Sequence, residues 1–303
     1  MSMTTKTEIG TVGRGSGQGA AARPSVPPKL RRHLVSLGWG LASIGLFTAI
    51  WEILWAVGWA NPLLLPPPHL FLQDIPGTLA YFDQSNKVGS RGTGSGLTGL
   101  LLTILWTTSR VVLGLTLGFV LGVAVGAMVH YVRLVRNLLL PTILLLAPIS
   151  PVAWLPVAIF VFGIGDVPAI FLVFITVFFA IVLSTVAQFE SVPKNYLHVA
   201  RIMGATEAQT FWRVILPAIL PSLFMTLRLN LFAAWMVVLI AEAVGVGTGL
   251  GQITSMARAT FNAKLGFFTM AIIGVLGFLF DWALRTIQGR MLWWVAPGQG
   301  GSR

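Results

Sequence analysis

Apolar residues gather in six long blocks, at about 36–59, 97–128, 138–162, 167–188, 218–243 and 268–288, separated by shorter polar stretches. Each block reaches roughly 20 residues or more, and a helix of that length crosses about 30 Å of hydrocarbon. The pattern predicts an all-α integral membrane protein with six transmembrane helices. The third block carries Pro141, Pro148, Pro151 and Pro156, each lacking a backbone donor, so a kinked or broken helix is expected. Such a helix suits the wall of a translocation path and equally a merely bent structural element.

The first 33 residues are rich in Gly, Ser, Thr and Pro and hold too few aliphatic side chains to offset the entropy of ordering. They read as a disordered cytoplasmic tail ahead of a transmembrane domain over 34–292, with a short tail at 293–303. The first apolar block is too long for a cleaved signal and lacks a small-residue cleavage site, so it should remain as a membrane helix. Between the first two blocks, "NPLLLPPPHLF" favours extended polyproline geometry, and "IPGTLAYFDQ" forms a candidate short interfacial helix.

Composition agrees: 55% of the 303 residues are hydrophobic and 10% charged, with a mean hydropathy of +0.84. The net charge of +11 raises nucleic-acid binding, and the placement of the basic residues argues against it. With the amino terminus inside, only Lys87, Arg91, Arg258 and Lys264 of the 20 Lys and Arg fall in outer loops, while Arg110 and Arg228 lie within spans. The others are inside, which is the bias that orients helical membrane proteins. Both termini are then cytoplasmic. The chain has no cysteine, hence no disulfide or thiol chemistry, and its four histidines are scattered, so no metal site is expected. Phosphate-loop, HExxH and GxSxG patterns are missing from the sequence.

The longest inner loop, at about 189–216, contains "HVARIMGATEAQTFWRVILP". Lys194 to Met203 can form a helix, Gly204 suits the left-handed residue that ends it, and Thr206 with Gln209 forms a capping box for a second helix. Glu207 sits at the positive end of that helix. The expected element is a helix, a glycine turn and a helix, with a span closely attached at each end.

This loop resembles the cytoplasmic loop of ABC-importer permease subunits, with Ala200, Gly204, Val214, Leu216 and Pro217 at matching spacings; His198 stands where relatives carry Glu. "TTSRVVLGLTLGFVLGVAVGAMV", "PISPVAWLPVAIFVFGIGD" and "AWMVVLIAEAVGVGTGLGQI" extend the likeness over about 36–292, and it is similar to the branch serving nitrate, sulfonate, taurine and bicarbonate importers. The resemblance implies a type I ABC importer permease fold with a MetI-like core, in a bacterial inner membrane. It implies a homodimer whose coupling helices dock on separate ATPase subunits, with an external solute-binding protein delivering cargo. The coupling positions are His198, Ala200, Gly204, Ala205, Thr206 and Glu207. No cofactor is expected in this chain, ATP and Mg belonging to the partner subunits, and the chain itself is not an enzyme.

Intramembrane charges are costly and therefore functional candidates. Arg110, Arg228 and Glu242 are candidate translocation-path residues; the two arginines, facing the dimer axis, suit an oxyanion, and the alternative is that each pairs with a carboxylate or with backbone carbonyls. Glycines at 114, 118, 122 and 126 permit close packing, against a second subunit or within the core. The favoured cargo is a small anion: nitrate, bicarbonate, a sulfonate or taurine. Alternatives are a permease for a non-anionic solute such as a vitamin precursor, an ATP-independent secondary transporter, and a non-transporting scaffold.

Overall fold

The computed structural model describes residues 28–58, 65–85 and 96–293. Residues 1–27, which make up most of the expected tail, and 294–303 lie outside them, and the helix that opens the described chain already begins at Pro28. That helix, α1 (Pro28–Ala56), is apolar from Gly38 to Ala56 over a length that can cross a bilayer, and belongs largely to a unit of its own ending at Leu54.

The second unit, from Trp55 onward, is built of helices and short connections among its described residues. Two short helices, α2 (Pro68–Gln73) and α3 (Ile75–Ser85), precede the long α4 (Gly96–Tyr131). Then come α5 (Arg133–Leu146), a 3-10 turn at Pro151–Trp154, α6 (Leu155–Phe162) and α7 (Asp166–Ser191). The last set is α8 (Lys194–Ile202), α9 (Glu207–Thr210), α10 (Leu216–Ala241), α11 (Leu250–Ala259) and α12 (Ala263–Met291). Helices α4, α7 and α12, and the 40-residue run Glu207–Val246 that contains α9 and α10, are each long and apolar enough to span a membrane.

The third expected span is a bent pair instead: α5 and the Pro151–Phe162 segment meet at 100°. Pro148 and Pro151 cannot donate to a continuous ladder, and Ser150 turns to ψ 134°, so the chain changes direction there. Pro141 is tolerated inside α5, and Pro156 falls in the first turn of α6, where no donor is needed.

Helix α4 fits against α7 through its glycines. A Cβ placed on Gly114, Gly118, Gly122 or Gly126 would lie 2.5, 2.8, 2.9 or 2.6 Å from the Cβ of Val173, Val177, Ile181 or Thr185. The α7 carbonyls of Ile170, Phe174, Phe178 and Val182 stand 3.0–3.2 Å from the same points, so the two backbones are in near contact. The glycine stripe therefore serves the core of the subunit. Helix α7 also buries Leu172 and Ile181 in a cluster with Leu231, Ala234, Trp235 and Val238 of α10.

At the end of the bundle nearest α11, Phe82 of α3 is fully buried among Leu250, Ile253, Ala257 and Leu265. The expected interfacial helix is thus present but packs into the protein. Helix α11 falls in a stretch expected as loop; at ten residues it is too short to register as a span, and its apolar side faces α3 and α12.

This end is knotted by charge. Arg110, 1% exposed, donates through Nη1 to Glu242 Oε1 (2.6 Å) and the Thr248 carbonyl (3.1 Å). Its Nη2 donates to Thr248 Oγ1 (2.7 Å) and Asp166 Oδ1 (2.5 Å), and its Nε also donates to Asp166 Oδ1 (2.8 Å). A guanidinium has five N–H donors, and all are used. Glu242, fully buried, accepts on Oε2 from Thr107 Oγ1 and from the Gly251 amide, both at 3.0 Å, while Thr107 Oγ1 accepts from the Leu250 amide at 3.0 Å. Two otherwise orphaned amides at the start of α11 are thereby capped. Gly249, at φ +106°, leaves room for the carboxylate: a Cβ there would sit 2.3–2.4 Å from its atoms.

Two outcomes are expected for purified protein in nanodiscs. Gly118→Ala overpacks the α4–α7 contact and costs about 1–3 kcal/mol, read as a lower unfolding midpoint, whereas Gly274→Ala, with nothing within 4 Å, leaves the midpoint unchanged or raises it slightly. Arg110→Ala strands Glu242 in the core and costs about 3–5 kcal/mol; Glu242→Gln, which keeps the hydrogen-bonding shape, loses less.

Candidate functional site

The hairpin expected from "HVARIMGATEAQ" is formed residue for residue. Pro193 separates α7 from α8, which ends at Met203 with Gly204 at φ +74°. The Gly204 amide donates to Arg201 O and the Ala205 amide to Ala200 O, both at 3.0 Å, a pairing that closes a helix end on a left-handed residue. Thr206 Oγ1 accepts from the Gln209 amide (3.3 Å) and Gln209 Oε1 from the Thr206 amide (3.0 Å), so both halves of the capping box are in place. Glu207 occupies the first turn of α9.

The exit from the hairpin is continuous. No turn separates α9 from the span that follows: the helix runs on through a π turn at Phe211–Ile215 into α10. Pro217 has no amide, and its ring would crowd the carbonyl four residues earlier; widening the preceding turn accommodates it. A stack of rings holds the root of the hairpin. His130 lies on Phe189 (centroids 4.8 Å apart), Phe189 on Phe211 (6.1 Å), and Tyr131 meets Phe211 edge-on (5.8 Å).

Of the six hairpin candidates, His198, Gly204, Thr206 and Glu207 are exposed, Ala205 is half-buried, and Ala200 is 6% exposed and packs inward. The tip also carries residues that sequence reasoning passed over: Ile202 is 85% and Met203 81% exposed, with Val199 and Tyr196 beside them. Two large apolar side chains just before the turn glycine, in a loop too polar to be a span, were the available signal. Together with the cap and turn geometry they form a stiff, partly apolar knuckle suited to a protein partner.

The three intramembrane candidates separate. Arg110 and Glu242 are joined to each other and buried in the knot described above. Arg228, on α10, donates from Nε to Asp281 Oδ1 and from Nη2 to Asp281 Oδ2 (3.4 Å). Arg285, four residues along α12, also reaches Asp281 Oδ2 (2.6 Å). One carboxylate thus serves two guanidiniums, and the Arg228 side chain remains 31% exposed. Among the described residues no group of three or more His, Asp and Glu side chains is arranged to hold a metal.

Comparison with known proteins agrees with this geometry. The family model "Binding-protein-dependent transport system inner membrane component" matches residues 114–293. The chain is 29% identical over 279 residues to the taurine transport system permease protein TauC of Escherichia coli K12, covering 88% of this chain and 96% of that one. It is 29% identical over 276 residues to the bicarbonate transport system permease protein CmpB of Synechococcus elongatus, covering 89% and 96%. Among solved structures, an inward-facing MetNI methionine ABC transporter shares the fold at a TM-score of 0.55 and 23% identity, over 64% of this chain and 95% of that one. A helical membrane bundle with a capped hairpin, matched over more than half its length by that family model, is a member of the binding-protein-dependent transport system inner membrane component family, an ABC-transporter permease.

Proposed function

We propose that the chain is the permease subunit of an importer that carries a small oxyanion, such as bicarbonate, nitrate, taurine or another sulfonate, driven by ATP hydrolysis on separate subunits. The cargo reading rests on relatives named for taurine and for bicarbonate, which share a compact, negatively charged oxygen-bearing group, and on the two-guanidinium cluster between α10 and α12. An external binding protein delivers the cargo. Two copies of the chain enclose the path.

The observation that carries the coupling part of the reading is the hairpin: Gly204 at φ +74°, the Thr206–Gln209 capping box, and Ile202 and Met203 exposed beside them. On this reading the knuckle from His198 to Glu207 seats in an ATPase subunit on the cytoplasmic side, where both termini of the chain also lie. ATP and Mg are bound by those subunits and no cofactor by this chain. Arg110 and Glu242 act as the frame that holds the far end of the bundle, and Arg228 is the path-lining charge.

Proteoliposomes holding the chain with its ATPase and binding-protein partners should accumulate bicarbonate, nitrate or taurine only when ATP is supplied. Uptake by the isolated chain under an ion gradient, or a partner binding protein whose ligand lacks an anionic oxygen group, sinks the reading. Gly204→Val forces a β-branched residue into a left-handed conformation, a strain of about 1–2 kcal/mol with no steric neighbour within 4 Å to confuse it. ATPase co-purification and ATP-dependent uptake should both fall severalfold, and Gly204→Ala should fall between Val and the native residue.

A further inference from the structure

Arg228 and Arg285 draw a different solution from Arg110 to the problem of charge in a membrane. Arg110 has no donor to spare. Arg228 commits Nε and one Nη2 hydrogen to Asp281, leaving three N–H groups without a partner among the described residues. The Arg285 side chain is 58% exposed and makes one contact, to the same carboxylate. Two positive groups share one negative group, which leaves the cluster with a net charge of +1.

The position makes this unsustainable against lipid. Arg228 lies eleven residues beyond Pro217 in α10, and Asp281 ten residues before the end of α12 at Met291. At the helical rise these distances are about 16 and 15 Å, close to half the thickness of the hydrocarbon layer. Spare guanidinium donors at that depth require water or an anion. The exposed side chains around them, Met225, Leu229 and Phe232 on α10 and Phe278 and Trp282 on α12, are apolar. Apolar neighbours of this kind lower the local dielectric, which makes a charge-assisted hydrogen bond stronger than in bulk water.

We infer that the Arg228–Asp281–Arg285 cluster is a small-oxyanion subsite on a hydrated face of the subunit, in which Asp281 holds the two guanidiniums in place and leaves their unpaired N–H groups to the anion. The fork of a guanidinium matches two oxygens of a planar or tetrahedral oxyanion, which a point-charge ammonium does not. The shared carboxylate also limits how tightly an anion is held, because it already takes up part of the positive field; a transport site has to release what it binds. The identity of the cargo class rests on the importer reading above. The existence of a wet, anion-attracting face does not.

The test uses the full chain in nanodiscs and reads Trp282, 59% exposed and next to Asp281 in sequence, as the fluorescence that Trp282→Phe removes. Quenchers are iodide as the anion probe, acrylamide as the neutral one, and brominated lipid for the acyl phase. Iodide should quench this component at least about threefold more, relative to acrylamide, than it quenches free tryptophan, a modest local enrichment for a positive cleft. Methanesulfonate at constant ionic strength should remove the excess. Arg228→Gln should abolish it with acrylamide quenching unchanged, since Arg285 still neutralises Asp281 and the fold is retained; Arg228→Lys should keep the iodide excess and weaken the methanesulfonate competition. Quenching by brominated lipid alone, protection from all three quenchers, or an iodide excess that survives Arg228→Gln overturns the inference. No transport is involved, so a failed uptake assay and a failed quenching assay are separate results.

Discussion

The Arg110–Glu242 contact is the constraint around which one end of the molecule is arranged. A buried charge without a partner costs several kcal/mol, so each element that meets this pair must bring a matching group. Asp166 opens α7 at the one point where its carboxylate reaches the guanidinium. The Thr248 carbonyl and hydroxyl take two more donors. The glycines at 249 and 251 follow from the same need: a side chain at either would meet the Glu242 carboxylate or the Leu239 carbonyl. Gly249 thus marks the space the carboxylate occupies, and Gly251 the close approach of α11 to the Leu239 carbonyl. A π turn at Glu242–Val246 ends α10 where this packing begins.

Close contact of α4 with α7 provides the rest of the rigidity. A glycine at every fourth position of α4 brings its backbone against the carbonyls of α7, and in a membrane, where apolar area drives little association, such contact is the main source of helix adhesion. Arg110 lies four residues before the first of these glycines, and Asp166 four residues before Ile170, whose carbonyl meets Gly114. The zipper and the ionic knot are consecutive turns of the same interface. Each sets the register for the other.

Much of this was legible in the sequence because the governing signals are local. Apolar block length placed the spans, proline spacing marked the broken third block, and the Gly204 turn with the Thr206–Gln209 box was readable because capping depends on residues three or four apart. What was not legible depends on helix faces brought together from distant positions. The partners of Arg110 are 56 and 132–138 residues away in sequence, and nothing along the chain says that Asp166, outside any apolar block, points at it. Arg228 and Asp281 are 53 apart. Helix α11 was hidden for another reason: it buries its apolar side against α3 and α12 without being long enough to span, so hydropathy alone reads it as loop.

The 40-residue helix from Glu207 to Val246 joins these features mechanically. It begins at the capped knuckle, passes the ring stack at Phe211, carries Arg228 near its middle and ends on the Glu242 knot, a length of about 60 Å. Two π turns interrupt it, one at each end of α10, where a wider turn can change pitch without breaking the ladder. Because no loop lies between knuckle and span, a force applied at Gly204 acts on α10 directly. Because the far end is fixed by a buried ion pair, α10 cannot slide freely, and displacement at the knuckle has to appear as a tilt about that end. Along a lever pivoted at Glu242, a group in the middle moves less than the tip but in the same sense. Arg228 is that group, and its only protein partner among the described residues is on α12, a helix the lever does not include. Tilting α10 relative to α12 therefore changes the Arg228–Asp281 distance, the ion pair that joins the two helices.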